Sequence, residues 1–428
     1  MKRVYVVEAA RTPVARAGKQ SWFTNVRAEE LSAIVFKELR KRAGLEDKSK
    51  QGIIDDIVWA TCSNAFMEQG LNIGRLAWML SDGSYDVPAC TIDRFCSSGV
   101  QSIEFATTQM MVGWGGDVQI AGGVQQMTRV PMTAGADFHP DLGQYMDLGA
   151  LGMGYTAEIV ARRYNVTREM QDTLACASHA KCAAAQAAQK TKDVVIPIQT
   201  KVPIKSAKSD PNPFGMAAAY TTSETVAKSY IEAGNEVAEV VVARDQGVRP
   251  ETTMQSLSEM APVFMQDEAA TVTAGNSSQI NDAAAGLLLA TDEGVKALGL
   301  KPKMEMVSWA VCGLPPEIMG IGPAFAVPKA LKRAGLTQDQ IGLWEVNEAF
   351  ASQAYYCCEM ALKIPKDRVN VWGSGISLGH PLACTGARIA TDITALFADP
   401  DYSDVEYIIE SMCIGHGQGA AAIWKKVK

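Results

Sequence analysis

Two cysteines, a histidine and an asparagine stand where side chains can do chemistry. Cys96 follows the apolar stretch 87–92 and the charge pair Asp93-Arg94, and small residues (Ser97, Ser98, Gly99) come after it. Val100, Ile103, Ala106, Thr107 and Met110 then recur at helical spacing. A thiol at such a strand-to-helix turn lies over free N–H groups and the positive end of a helix, which favour the nucleophilic thiolate. A small core hydrophobe is the other reading of a free cysteine. Asn347, in WEVNEAFA (344–351), ends a strand and opens a helix. It is either an N-cap or a polar group at a strand's carboxyl end, where α/β proteins gather their sites. His380, one of four histidines, lies between Gly379 and Pro381 just ahead of a helix. Cys413 leaves a strand into the turn of SMCIGHGQG (411–419), whose glycines expose backbone N–H groups and admit a ligand closely.

The elements that must position these residues alternate. In the first 125 residues the patterns predict strands at 4–9, 56–60, 87–94 (buried) and 118–121, with helices at 28–42, 71–80 and after Cys96. From 270 onward the rhythm returns. Helices are expected at 280–290, 323–333, 348–362 and 385–397, and strands at 303–310, 343–346, 369–372, 407–412 and 420–425. Such alternation implies mixed sheets covered on both faces, and two similar halves imply a duplicated α/β unit. Between them, 125–253 holds helices at 156–164 and 167–189, broken at Asn165, and then Pro203, PNP (211–213) and Gly215. That segment reads as a loop-rich insertion, a lid or cofactor platform. Its Lys201, Lys205 and Lys208 are either a solvated face or holders of acidic phosphates.

Bulk properties narrow the classes. A net charge of −7 argues against nucleic acid as a partner but allows a local basic patch for a phosphorylated ligand. Apolar runs stop well short of membrane-spanning length, and Met1-Lys-Arg leads straight into a strand, so neither a span nor an export leader is expected. The ten cysteines show no CxxC pair and no framework spacing, and Cys357-Cys358 are adjacent. Reduced thiols, a cytoplasmic setting and no metal site are expected. GSGISLG (373–379) has one residue too many for a dinucleotide fingerprint and no acidic residue at the proper distance.

Together the segments around Cys96, Asn347, His380 and Cys413 resemble the thiolase family. Further matches are DRFCSSG (93–99), AGG (121–123), MGYTAE (153–158), TAGNSS (273–278) with IND (280–282), and MGIGP (319–323). The resemblance runs from Val4 to the C-terminus and weakens only between about 195 and 245. It implies an α/β thiolase fold, with duplicated βαβαβαββ halves in a five-layered αβαβα core and a loop domain inserted in the first half. The expected division is 1–124 and 254–275 for the first half, 125–253 for the insertion and 276–428 for the second half. The implied activity is CoA-dependent thiolysis of a 3-oxoacyl-CoA, or the reverse condensation. Cys96 would carry the acyl group, His380 would take its proton, and Cys413 would be the second acid/base. His380 with a water held by Asn347, and the N–H groups of Cys96 and Gly415, would form two oxyanion holes. Ser278 would bond the pantetheine arm, and Met153 and Phe350 would line the acyl and pantetheine channel. Coenzyme A is implied as co-substrate, with no permanently bound cofactor.

The family pattern is not followed throughout. Asp93 stands where asparagine is common, Gln125-Gln126 replace a stretch that often holds glutamate, and Ala383-Cys384 replace Gly-Ala. His416 takes a place that is glycine in many biosynthetic members. Segment 129–152 is shorter than in tetrameric biosynthetic thiolases and 194–251 is longer. A homodimer is therefore favoured over a dimer of dimers, with an altered rim on the CoA or acyl side. A biosynthetic acetoacetyl-CoA thiolase is an alternative, as is a thiolase for bulky or aromatic acyl groups with an accessory subunit. Decarboxylating relatives lack the Cys413 cysteine. A non-catalytic acyl-CoA-binding scaffold would have no need to keep all four residues.

Overall fold

The structure, a computed structural model, describes residues 1–62, 67–133, 135–203, 228–232 and 235–427. The first half opens with β1 (Val4–Arg11), the short β2 (Ala15–Arg16) and α1 (Ala28–Arg42). β3 (Asp56–Ala60), α2 (Ile73–Leu80), β4 (Cys90–Ile92), α3 (Ser98–Met111) and β5 (Val118–Gln126) follow. α1 spans its predicted residues because its signals agree. Glu29 and Glu30 occupy its first turn and Arg40, Lys41 and Arg42 its last, and Leu31, Val35, Phe36 and Leu39 form one buried face. Helices α4 (Met153–Arg163) and α5 (Arg168–Ala187) come next, separated at Asn165, whose φ of +55° ends the first.

β6 (Ile198–Pro203), β7 (Lys228–Glu232) and β8 (Asn235–Val242) form a separate antiparallel sheet, and the short α6 (Met254–Ser258) leads back to the core. Lys205, Lys208, Pro211, Pro213 and Gly215 lie outside the described residues. The remaining elements are β9 (Asn281–Thr291), α7 (Asp292–Leu298), β10 (Met304–Gly313), α8 (Gly322–Ala334), β11 (Leu343–Val346), α9 (Ala351–Tyr355), α10 (Leu382–Ala398), β12 (Tyr407–Ile414) and β13 (Gln418–Lys426).

The layers follow from alternation along the strands. Val4 and Val6 of β1 face one core with α3 (Val100, Ile103, Met110) and α10 (Ile389, Ile393), whereas Tyr5 and Val7 face a second with α1 and Trp78 of α2. In the other half, Ile408 and Met412 of β12 join the α3–α10 core, while Ile409, Ala421 and Ile423 pack on α8 (Val327, Ala330) in a third. Three cores between two sheets and three helix layers make the αβαβα arrangement. The strand orders are β4-β3-β5-β9-β1 and β10-β13-β12-β11, joined edge to edge through the single pair Val6–Met304. The middle helices cross closely. A β-carbon on Gly99 of α3 would lie 2.5 Å from the Ala387 nitrogen, and one on Gly386 of α10 2.5 Å from that of Val100.

Four sequence expectations are corrected. Residues 280–290 are not a helix: β9 pairs antiparallel with β1 and β5, so the first sheet runs past the expected 275/276 division. Every residue of β9 is buried, and a strand covered on both faces shows no period-2 pattern. The strand expected at 87–94 is only Cys90–Ile92, at the sheet edge, with Cys90 exposed. The helix expected from 348 starts at Ala351 and widens into π-type turns at Tyr356–Ala361. A backbone bridge from Ser277 to Phe350 and the Ala351 N–H on Asn276 O hold the preceding residues extended. Residues 369–372 make one bridge, Val369 to Trp344, rather than a strand.

Candidate active site

Cys96 sits in a single 3₁₀ turn (Phe95–Ser97) leading into α3 and is 1% exposed. Burial pushes its thiol up to about 11. The N–H groups of Gly415 and of Cys96 itself pull the other way, and the charge of Asp93 adds to the rise. The resting group is therefore a thiol, with the backbone N–H groups of Gly415 and Cys96 near its sulfur. Gly415 follows β12 directly, so a donor from the second half reaches the nucleophile candidate of the first. Cys413, two residues earlier, is fully buried. Burial raises its thiol far above the ordinary range, and a negative charge on Cys96 would raise it further.

His380 arrives from the other side. Gly379 has a φ of +120°, and a β-carbon there would fall 2.5 Å from the Asn281 amide. The glycine thus lets Asn281 Oδ1 accept the His380 N–H at 2.9 Å, while Asn281 Nδ2 donates to Ala15 O at 3.0 Å. Leu382 and Ala383, just beyond, pack with Cys96, Cys62 and Met127. The imidazole Nδ1 meets Thr385 Oγ1 at 2.6 Å and Asn347 Nδ2 at 3.3 Å. Among the described residues nothing pairs with His380 Nε2 or with Asn347 Oδ1, although both are buried. Orphaned buried polar atoms are costly, so each marks a place for a ligand's polar atom or a water. Burial, and then the charge of Arg388, pull His380 down to about 3, which keeps the resting ring neutral.

Asn347 is no helix cap, since α9 begins four residues later with Phe350 at its N-cap position. Its backbone N–H bonds Ser411 O at 2.9 Å, at the end of the β11–β12 ladder. Gly375 lies so close that a β-carbon would sit 2.8 Å from Asn347 Oδ1, so the glycine-rich 373–379 segment serves close packing. Met153, at the start of α4, Phe350 and Cys413 share one apolar cluster with Ala157, Val272, Met319 and Ala349. Ser278 is half-buried beside it, its N–H on Ala349 O at 2.9 Å.

Thr385, Asn281 and Met319 were not singled out from sequence for these positions. The only signal for Thr385 was its place in the first turn of the helix after His380. His139 is exposed, and His179 is buried, with its Nδ1 accepting the Arg249 N–H at 3.2 Å. All ten cysteines are free thiols. No helix among the described residues is long and apolar enough to cross a membrane. A surface cleft of about 470 Å³ lies at the opposite end of β11 and β12. Its lining includes Asp339, Asp367, Asp404 and Glu406, unsuited to an anionic phosphorylated ligand.

Known proteins carry the same pattern over the whole chain. Residues 4–293 match the family described as "Thiolase, N-terminal domain", and 300–426 match "Thiolase, C-terminal domain". A 3-ketoacyl-CoA thiolase of Bacillus subtilis (strain 168) is 42% identical over 427 residues, 99% of this chain and 100% of that one. One of Escherichia coli O1:K1 / APEC is 38% identical over 434 residues, with both chains fully covered. In three dimensions, the crystal structure of the Bacillus anthracis acetyl-CoA acetyltransferase superposes with a TM-score of 0.81 at 31% identity, over 100% of this chain and 99% of that one. Two family matches in order, together with these full-length relatives, establish that the chain belongs to the thiolase family.

Proposed function

We propose that the protein cleaves 3-oxoacyl-CoA with coenzyme A, giving acetyl-CoA and a shortened acyl-CoA, by a ping-pong route through acyl-Cys96. The observation that carries this reading is the meeting of two thiols, Cys96 and Cys413, with two separate sets of polar groups. One set is the N–H pair of Cys96 and Gly415 at the Cys96 sulfur. The other is the orphaned His380 Nε2 with Asn347.

In the first half-reaction the Cys96 sulfur attacks C3 of the substrate and its proton passes to His380 Nε2. Thr385 Oγ1, able to donate or accept, stays bonded to Nδ1 in either tautomer. The C2–C3 bond breaks, its electron pair forms the enolate of acetyl-CoA, and the Cys413 S–H protonates that carbon. The protonated His380 and the Asn347 amide, or a water it holds, stabilise the enolate oxygen. In the second half-reaction Cys413 takes the proton of the incoming CoA thiol, whose sulfur attacks acyl-Cys96. The N–H groups of Cys96 and Gly415 stabilise the oxygen on the carbon bound to Cys96, and the expelled thiolate regains its proton from His380.

The apolar wall of Met153, Met319, Val272 and Phe350 suits the methylene-rich parts of an acyl chain and a pantetheine arm, and in this reading Ser278, bonded to Ala349 beside it, bonds the arm. A homodimer fits the edge of β4, which no strand covers among the described residues and beside which α2 exposes Leu76, Met79 and Leu80. Free thiols throughout suit the reducing cytoplasm, and thiolytic shortening of acyl chains places the enzyme in fatty-acid β-oxidation. The test is CoA-dependent loss of 3-oxoacyl-CoA across chain lengths, wild type beside Cys96→Ser. Turnover by the wild type and none by the variant are expected. No turnover of any 3-oxoacyl-CoA by the wild type would refute the reading.

A further inference from the structure

His416 is the member of the glycine turn that this chemistry leaves unused. It is the middle of three residues joining β12 to β13, flanked by the paired Ile414 and Gln418. Its φ of +64° lies in the left-handed region, which glycine adopts freely and a residue with a β-carbon does not. The side chain is exposed, so burial does not offset that strain. What it touches is Phe95: the two rings stand edge to face, 4.8 Å apart and inclined at 69°.

Phe95 is also left-handed, with a φ of +46°, and directly precedes Cys96. Its ring lies under Gly415 as well, where a β-carbon would sit 3.7 Å from it. The two N–H donors at the Cys96 sulfur come from segments far apart in the chain. The Phe95–His416 contact joins the neighbours of both. On its far side the turn is pinned independently. Leu314 N–H donates to Gly417 O at 2.8 Å, and a β-carbon on Gly417 would fall 2.2 Å from Leu314 O. On the side facing Cys96, Gly415 is held by the Phe95 ring and by its carbonyl, which accepts from Gln418 Nε2 at 3.4 Å.

We propose that His416 is a positioning residue that, through Phe95, holds the Gly415 N–H in register with the Cys96 N–H. It thereby tunes the Cys96 thiol and the oxyanion site beside it. Its ring does this, not its charge. The catalytic half of the inference rests on Cys96 being the acyl carrier; the effect on the thiol does not.

The experiment compares wild type with His416→Ala, His416→Asn and His416→Phe. Asparagine tolerates the left-handed turn but lacks the ring, whereas phenylalanine keeps a ring without charge. The readouts are the pH midpoint of Cys96 alkylation by iodoacetamide without substrate, followed on the Cys96 peptide, together with kcat, KM and melting temperature. Alanine and asparagine are expected to move the midpoint upward, because the Gly415 N–H lowers the thiol. They should also reduce kcat about tenfold with KM nearly unchanged, and phenylalanine should restore most of both. A wild-type midpoint and kcat in the asparagine variant would overturn the proposal. So would a change in KM alone, or a phenylalanine variant of normal melting temperature as impaired as alanine. Absence of thiolysis in the wild type would remove the functional reading, while the alkylation comparison would still decide whether His416 positions Gly415.

Discussion

Thr385→Val replaces a fully buried hydroxyl by a methyl of nearly the same shape, at the shorter of the two contacts on His380 Nδ1. The lost interaction is the 2.6 Å bond between Thr385 Oγ1 and His380 Nδ1. For Nε2 to take the Cys96 proton the neutral ring must carry its hydrogen on Nδ1, and that N–H still needs an acceptor once the ring is charged. Its other neighbour, Asn347 Nδ2 at 3.3 Å, is itself a donor and cannot replace the hydroxyl. A hydrogen bond to a charged group contributes about 1.5–3 kcal/mol. At about 1.4 kcal/mol per decade, thiolysis kcat should fall about 10- to 150-fold. KM should change little, because Thr385 touches no substrate and the bond matters most once the ring is charged. Thr385→Ser, which keeps the hydroxyl, should recover most of the rate. Initial rates of CoA-dependent 3-oxoacyl-CoA loss, measured beside melting temperatures, give the comparison. A valine variant of unchanged melting temperature and kcat within threefold of wild type would refute this account of the proton's path, as would a serine variant no better than valine.

Three further perturbations test other parts of the molecule. Asp93→Asn removes a charge that raises the Cys96 thiol but keeps an oxygen for the Phe95 N–H, so the alkylation midpoint should fall below about 11; no change, or a rise, would contradict the assigned cause. Arg11→Met strips Asp245 of its buried guanidinium and leaves Asp392 only Arg388, at 3.6 Å, where Arg11 now bonds both carboxylates at 2.8–3.0 Å. Breaking a buried pair in this way costs about 3–5 kcal/mol, and an unchanged urea midpoint would show that the network carries no such weight. Glu345 and Glu410 are directly paired across β11 and β12, and burial pushes both carboxyls up to about 8 from 4.5. The native state thus holds protons that the unfolded chain releases, so stability should decline as pH rises from about 4.5 through about 8. Thermal melts at pH 6 and 9 should show the drop, and Glu345→Gln with Glu410→Gln should flatten it; an equal slope in that double variant would place the effect elsewhere.

How much of the site was legible depended on whether a residue's setting is local. Cys96 stands in a turn and Cys413 at the end of β12 just before one, each with small residues adjacent in sequence, and both thiols are buried. Asn347 was ambiguous because the first turn of a helix and the end of a strand look alike in WEVNEAFA. Only the long-range bridge from Ser277 to Phe350, which delays the helix, decides it. Asn281 was illegible for a deeper reason. The run from Asn281 to Thr291 is rich in alanine and leucine, which favour helix locally, yet it lies between two sheet neighbours with helices on both faces. Small side chains are needed there, as Gly286 illustrates, where a β-carbon would crowd Trp59 and Val35 at 3.0 Å. The same packing that hides the strand from a local reading brings its first residue under His380. The clamp on His380 is thus a product of the layered core, which joins residues 99 positions apart.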